Sequence, residues 1–288
     1  MNLIAVPGGE LAAYSFGKGP PVIFLHGGPG DTHDYMKRMA EPLLDQFQCI
    51  FFDQRGTGGS SNFKRDQSVF KVDQLLNDLI AVASYFDANR PALVGHSWGA
   101  MYALFACIQF PTTFHKAALI SMGPLDDEMG QGTANHLMSV LDAPEKTEWT
   151  RLRNERNAAR DKGDIALVND VDHKLMHLRV KAWVFNPKLR TEFLEEYFLD
   201  PPPDRKVNKW VWSSAETWFA WDNLKKIEAA IWICSGAADS VPLIQTERVA
   251  AGIKNSRVTV LRNCGHIPWL EHPDLFYGNI REFLTNQE

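Results

Sequence analysis

Ala92-Leu93-Val94-Gly95-His96-Ser97-Trp98-Gly99-Ala100 is the stretch from which the rest of the chain is read. Ala92–Val94 is an apolar run of strand length, and Ala100 to Phe110 is an apolar stretch of helix length. Between them stands G-x-S-x-G. A serine on a sharp strand-to-helix turn has a strained backbone, and small flanking residues leave room for it. Such a turn lifts the hydroxyl above a sheet edge, where the helix N-terminus favours negative charge. A serine that merely caps the helix is the weaker reading.

Similar apolar runs recur on both sides of this turn. Leu3–Val6 and Leu11–Phe16 flank Pro7-Gly8-Gly9 as an N-terminal hairpin. Val22–Leu25, Cys49–Phe52, Ala117–Ile120, Ile231–Cys234 and Val258–Leu261 follow. These runs do not alternate with polar residues, as expected of strands covered on both faces. Helical patterns fill the gaps; Val72, Leu75, Leu76, Leu79, Ile80 and Ala83 form one apolar stripe. Strand and helix in alternation predict a mainly parallel sheet with right-handed crossovers.

The rhythm breaks between Pro124 and Leu224, where charged helical segments such as Glu145–Lys162 mix with many aromatics. This reads as a helical cap, residues 124–227, inserted into a core of residues 1–123 and 228–288. With 45% hydrophobic and 23% charged residues the chain is an ordinary globular protein. A net charge of −5 gives no electrostatic reason to bind nucleic acid or an anionic membrane. No leader-like N-terminus and no run of eighteen apolar residues is visible. Cys49, Cys107, Cys234 and Cys264 form no CxxC pair and read as reduced thiols, which agrees with a cytoplasmic protein. Cys264, two residues before His266, reads as packing.

A serine hydroxyl needs a base to act as a nucleophile at neutral pH. Of nine histidines, His266 stands in a loop just beyond the last strand-like run, in the expected order of serine, acid, histidine. His96 is too close to Ser97 along the turn. His173 and His177 are spaced for a shared metal, but Lys174 stands where a zinc peptidase of that pattern needs glutamate, and solvated histidines are expected. The acid is expected at Asp239, after Ile231–Cys234, with Asp126 or Asp127 as the rival one strand earlier. Oxyanion donors are expected from the N–H of Trp98 and of Gly28, within the glycine-rich His26–Gly30.

HGGPG at His26–Gly30, DQRGTGGS at Asp53–Ser60 and GHSWG at Gly95–Gly99 together resemble the proline iminopeptidases, serine aminopeptidases of the α/β-hydrolase fold. The resemblance covers roughly residues 20–123 and 228–285. It implies an eight-stranded, mostly parallel sheet flanked by helices, the triad Ser97–Asp239–His266, and an oxyanion hole at Gly28 and Trp98. Asp53 and Arg55 would tie the loop beneath the site, an exposed ion pair being the plainer alternative. Family members hold the substrate amine on cap glutamates, and here only Glu195, Glu196, Glu216 and Trp221, with Asp222, offer an echo. His96 stands where the peptidases commonly have glycine.

Three functions are open at this point. An aminopeptidase releasing a small N-terminal residue requires a buried acidic group near the acyl pocket. A carboxylesterase or lactonase requires an aromatic pocket for an apolar acyl group. A ligand receptor on a hydrolase scaffold would keep the triad and hold its product. In each case a small molecule or short peptide is the partner, and no metal or organic cofactor is implied.

Overall fold

The structure, a computed structural model, describes residues 1–197 and 204–286. The hairpin strands are β1 (Asn2–Val6) and β2 (Gly9–Phe16), followed by β3 (Pro21–Leu25), helix α1 (Asp34–Ala40), β4 (Gln48–Phe52) and α2 (Val72–Tyr85). Next come β5 (Ala92–His96), α3 (Trp98–Gln109) and β6 (Lys116–Ile120). An insertion carries α4 (Asp127–Val140), α5 (Ala143–Asp161), α6 (Ile165–Trp183), α7 (Arg190–Tyr197) and α8 (Arg205–Trp218). The chain then completes the core with β7 (Ala230–Gly236), α9 (Leu243–Gly252), β8 (Ser256–Leu261), α10 (Pro268–Glu271) and α11 (Pro273–Thr285).

The strands form one eight-stranded sheet in the order β1-β2-β4-β3-β5-β6-β7-β8. Only the pairings made by β2 are antiparallel; from β4 to β8 every pair is parallel. β5, β6 and β7 are buried at every residue, which is why they read as continuous apolar runs. One expectation fails at the edge. β8 alternates, with Val258 and Val260 exposed at 40% and 43%, because it is the edge strand of the sheet among the described residues and one face meets solvent. Its charged start, Ser256-Arg257, pairs with β7 all the same.

Two apolar clusters, one on each face, close over the sheet. Leu75, Leu79, Trp98, Tyr102 and Phe105 pack on one, and Met36, Trp232, Trp269 and Phe276 on the other. Glycine is required where α3 crosses the sheet: a Cβ on Gly99 would lie 1.9 Å from the Leu25 carbonyl oxygen, and one on Gly95 2.1 Å from that of Gly99. All four cysteines are buried free thiols, and burial pushes Cys49, Cys107 and Cys234 up to about 12 and Cys264 higher still. None supplies a thiolate at neutral pH. No helix among the described residues is long and apolar enough to cross a membrane.

Candidate active site

The C-terminal ends of β5, β7 and β8 lie on one edge of the sheet, so the loops that follow them converge, as ligand sites in such sheets do. Ser97 follows β5 with φ 55° and ψ −119°, a conformation that non-glycine residues rarely adopt. The strain is held from both sides. Ser97 N–H donates to the Ile120 carbonyl at 3.0 Å, and its own carbonyl accepts Gly123 N–H at 3.1 Å. Trp98 is the first residue of α3, so its N–H has no partner within the helix.

His266 follows β8 and Asp239 follows β7. His266 Nδ1 lies 2.9 Å and 3.0 Å from the two carboxylate oxygens of Asp239, leaving Nε2 as the free nitrogen. Both side chains are buried. Burial raises the Asp239 carboxyl, but the His266 charge, its hydrogen bond and the Val241 N–H at 3.2 Å outweigh it and hold the group below the usual carboxylate range. Asp126 is engaged elsewhere: it caps α4 through Met129 N–H and accepts Trp221 Nε1 at 3.1 Å. Asp127 is exposed. Of the three candidate acids, the structure brings Asp239 to the imidazole.

Gly28 carries φ +109°, and a Cβ there would meet Asp31 at 2.9 Å. Its loop is tied to the motif after β4. His26 Nδ1 donates to the Gly27 carbonyl, His26 Nε2 accepts Gln54 N–H, and Gln54 reaches both the His26 carbonyl and the indole of Trp98. Burial lowers His26 to about 4, so it is neutral in this role. Asp53 accepts from His33 at 2.7 Å and Arg55 forks onto Asp78 at 2.6 and 2.7 Å, all buried. The exposed ion pair is therefore not what these residues form.

His96 occupies the position before the serine as part of a chain of hydrogen bonds. Gly27 N–H donates to the Tyr35 hydroxyl at 2.6 Å, Tyr35 donates to His96 Nδ1 at 3.0 Å, and His96 Nε2 donates to the His266 carbonyl at 3.1 Å. Burial, reinforced by His266, holds His96 well below its ordinary value, and burial holds the Tyr35 phenol above its own. A neutral imidazole and a protonated phenol are what these donor directions need.

Ser97, His266 and Gly28 line one cavity of about 610 Å³, walled by the insertion through Trp183, Trp212 and Met176. Trp183 stacks on the His266 ring at 5.6 Å, and its carbonyl accepts His266 N–H at 2.6 Å. Two of the glutamates expected at the substrate amine, Glu195 and Glu216, do not line it. Glu195 and Glu216 are exposed, and Glu216 lines a separate hollow of about 380 Å³ beside Asp126. The Glu196 side chain lies outside the described residues. Trp221 packs on Arg248 at 3.8 Å, away from the cavity, and Asp222 is exposed. His173 and His177 are exposed on α6. The carboxylate that does line the cavity, among the described residues, is Asp31, which sequence reasoning passes over although it directly follows His26–Gly30. Burial raises it to about 6 against the pull of Arg205 and Arg179. The arginines Arg156, Arg179 and Arg205 are missed as well, because nothing in their helical surroundings marks them as inward-facing.

The alpha/beta hydrolase family model matches residues 22–278. The chain is similar to the proline iminopeptidase of Clostridioides difficile (strain 630), 31% identical over 92% of this chain and 89% of that one. It is also similar to that of Heyndrickxia coagulans, 24% identical over 99% and 98%. Among solved structures, a proline iminopeptidase-related protein from Thermus thermophilus superposes with a TM-score of 0.76 at 22% identity, covering 98% and 96% of the two chains. Together with the elbow at Ser97 and the convergent loops after β7 and β8, these matches make the chain a member of the alpha/beta hydrolase family, of the proline iminopeptidase-like kind.

Proposed function

We propose that the protein is a serine hydrolase that works through an acyl-enzyme, with residues 124–227 capping a core of 1–123 and 228–288. The observation that carries this is the bidentate Asp239 contact to His266, which lines the same cavity as Ser97. Ser97 Oγ attacks the substrate carbonyl as His266 Nε2 takes its proton, and Asp239 stabilises the imidazolium that forms. The oxyanion is received by the N–H groups of Gly28 and Trp98, of which one is typically worth about 2.7–4 kcal/mol of barrier. His266 then returns the proton to the leaving group and activates the water that releases the acyl group.

For the substrate, we infer an aminopeptidase that releases a small N-terminal residue, and the relatives' names support this. The amine would rest on Asp31, the carboxylate lining the cavity, rather than on the cap glutamates. The apolar wall of Trp212, Trp183 and Met176 favours a second reading, a carboxylesterase or lactonase. A rate comparison of proline arylamide with short-chain aryl esters separates the two. Arylamide turnover that is lost on acylation of the amine, and weakened through KM in Asp31→Asn, supports the first. Ester turnover alone supports the second, and normal activity of Ser97→Ala with either substrate overturns the mechanism. The four buried thiols suit a reducing, cytoplasmic setting.

A further inference from the structure

Arg156 on α5, Arg179 on α6 and Arg205 at the start of α8 enter the wall of the cavity that holds Ser97 and His266. Two of them share one anion. Asp172, 4% exposed, accepts Arg156 Nη1 at 3.1 Å and Arg205 Nε at 3.0 Å. One carboxylate between two guanidinium groups fixes both side chains and leaves a positive charge over. Arg179 has neither an ion pair nor a hydrogen bond among the described residues. Its guanidinium lies 5.6 Å from the ring centres of both Trp149 and Trp183, which hold it in place. Burial, then Arg205 and Arg156, lower it to about 10, so it stays charged at neutral pH.

The position relative to the chemistry is set by Trp183. That ring lies 5.6 Å from the Arg179 guanidinium and 5.6 Å from the His266 ring, so the cation stands two such steps from the catalytic imidazole. Asp31, which lines the same cavity, feels the field of Arg179 and Arg205 but forms no ion pair with either among the described residues. Three arginines against Asp172 and Asp31 leave the cavity with a single excess positive charge, suited to a singly charged anion. An unpaired guanidinium facing the cavity gains a charge-assisted partner when an anion enters. Its planar fork matches the two oxygens of a carboxylate.

We propose that Arg179, flanked by Arg156 and Arg205, is a carboxylate-recognition site, and that the substrate carries a free carboxylate a short chain away from its scissile carbonyl. That the anion belongs to a substrate rests on the hydrolase reading; the anion site itself does not. The carboxylate belongs either to the C-terminus of a dipeptide or similarly short peptide, or to the far end of a dicarboxylic acyl group.

Two matched substrate pairs test this: the dipeptide Pro-Gly against its C-terminal amide, and a monoaryl glutarate against the aryl valerate, in which methyl replaces carboxylate. In at least one pair kcat/KM favours the acid by roughly ten- to hundredfold, the factor a charge-assisted hydrogen bond supplies. The pair that shows the preference identifies the source. Arg179→Met brings the ratio towards one, Arg179→Lys keeps part of it, and Arg153→Met, which removes an exposed charge nearby, leaves it unchanged. Ratios at or below one in both wild-type pairs overturn the proposal, as does an acid preference that survives in Arg179→Met. If no substrate turns over, the hydrolase reading fails by itself, and calorimetric titration with glutaramate, the singly charged monoamide of glutarate, decides the anion site. Saturable binding lost in Arg179→Met supports it, and no binding to the wild-type protein overturns it.

Discussion

Replacing Tyr35 with phenylalanine removes one oxygen from the chain that joins the Gly27–Gly28 loop, the elbow and His266. That oxygen accepts Gly27 N–H at 2.6 Å and donates to His96 Nδ1 at 3.0 Å. Tyr35, Gly27 and His96 are all buried, so both partners lose their bond without gaining bulk water. A buried group left unsatisfied costs about 1–3 kcal/mol. With some relaxation the pair should destabilise the fold by about 2–4 kcal/mol, which at roughly 2 °C per kcal/mol for a large domain lowers Tm by about 4–8 °C. The ring itself still packs beside Trp269, so no cavity term is added. The catalytic effect follows from Gly27 being the neighbour of Gly28. Losing an oxyanion donor outright lowers kcat roughly 10²–10³-fold, and a loosened donor should lose about tenfold with KM little changed. Differential scanning calorimetry and steady-state kinetics on one preparation read both effects. A variant with wild-type Tm and wild-type kcat would refute the idea that this chain of bonds holds the site together.

Asp239→Asn should lower kcat by roughly 10⁴ with the circular dichroism spectrum unchanged, since the amide can hold the ring only in the wrong tautomer. Full activity would disconnect the contact from catalysis. Asp31 gives a pH signature: its carboxyl ionises near 4 unfolded but at about 6 folded, so the folded state binds more protons and stability falls as pH rises through that window. Asp31→Asn should therefore be more stable than wild type at pH 8, by on the order of 1–3 kcal/mol, and equal to it near pH 4; denaturant melts at the two values check this. Arg55→Met leaves Asp78 buried and unpaired and should cost about 3–5 kcal/mol, read as a fall in the urea midpoint. Gly99→Ala drives a Cβ to 1.9 Å from the Leu25 carbonyl oxygen and should yield no folded protein, judged by expression and gel filtration.

The core can be read from local pattern because its signals are local. Continuous apolar runs mark β5, β6 and β7, whose residues are buried on both faces, and G-x-S-x-G requires only five neighbouring residues. Edge strand β8 reads as covered because Val258 and Val260 are apolar, and only the sheet order reveals that it stands at the end of the sheet. The cavity wall is illegible for a different reason. Whether Arg179 or Glu195 faces inward depends on how α6 and α7 rotate against the sheet, and α5 and α6 carry charged residues on more than one side. Asp31 and Tyr35 lie close to the oxyanion loop in sequence, but the part Tyr35 plays depends on His96, about sixty residues further on.

Asn208 at the start of α8 donates to the carbonyls of both Gly28 and Pro29, and Asp204 N–H donates to that of Gly30. The insertion that walls the cavity thus grips the loop proposed to receive the oxyanion. Exchanging this insertion for that of another relative would therefore not transplant selectivity alone. A chimera would also inherit a loop whose shape was set by a helix it no longer has, so specificity and catalytic competence in this protein can only be re-engineered together.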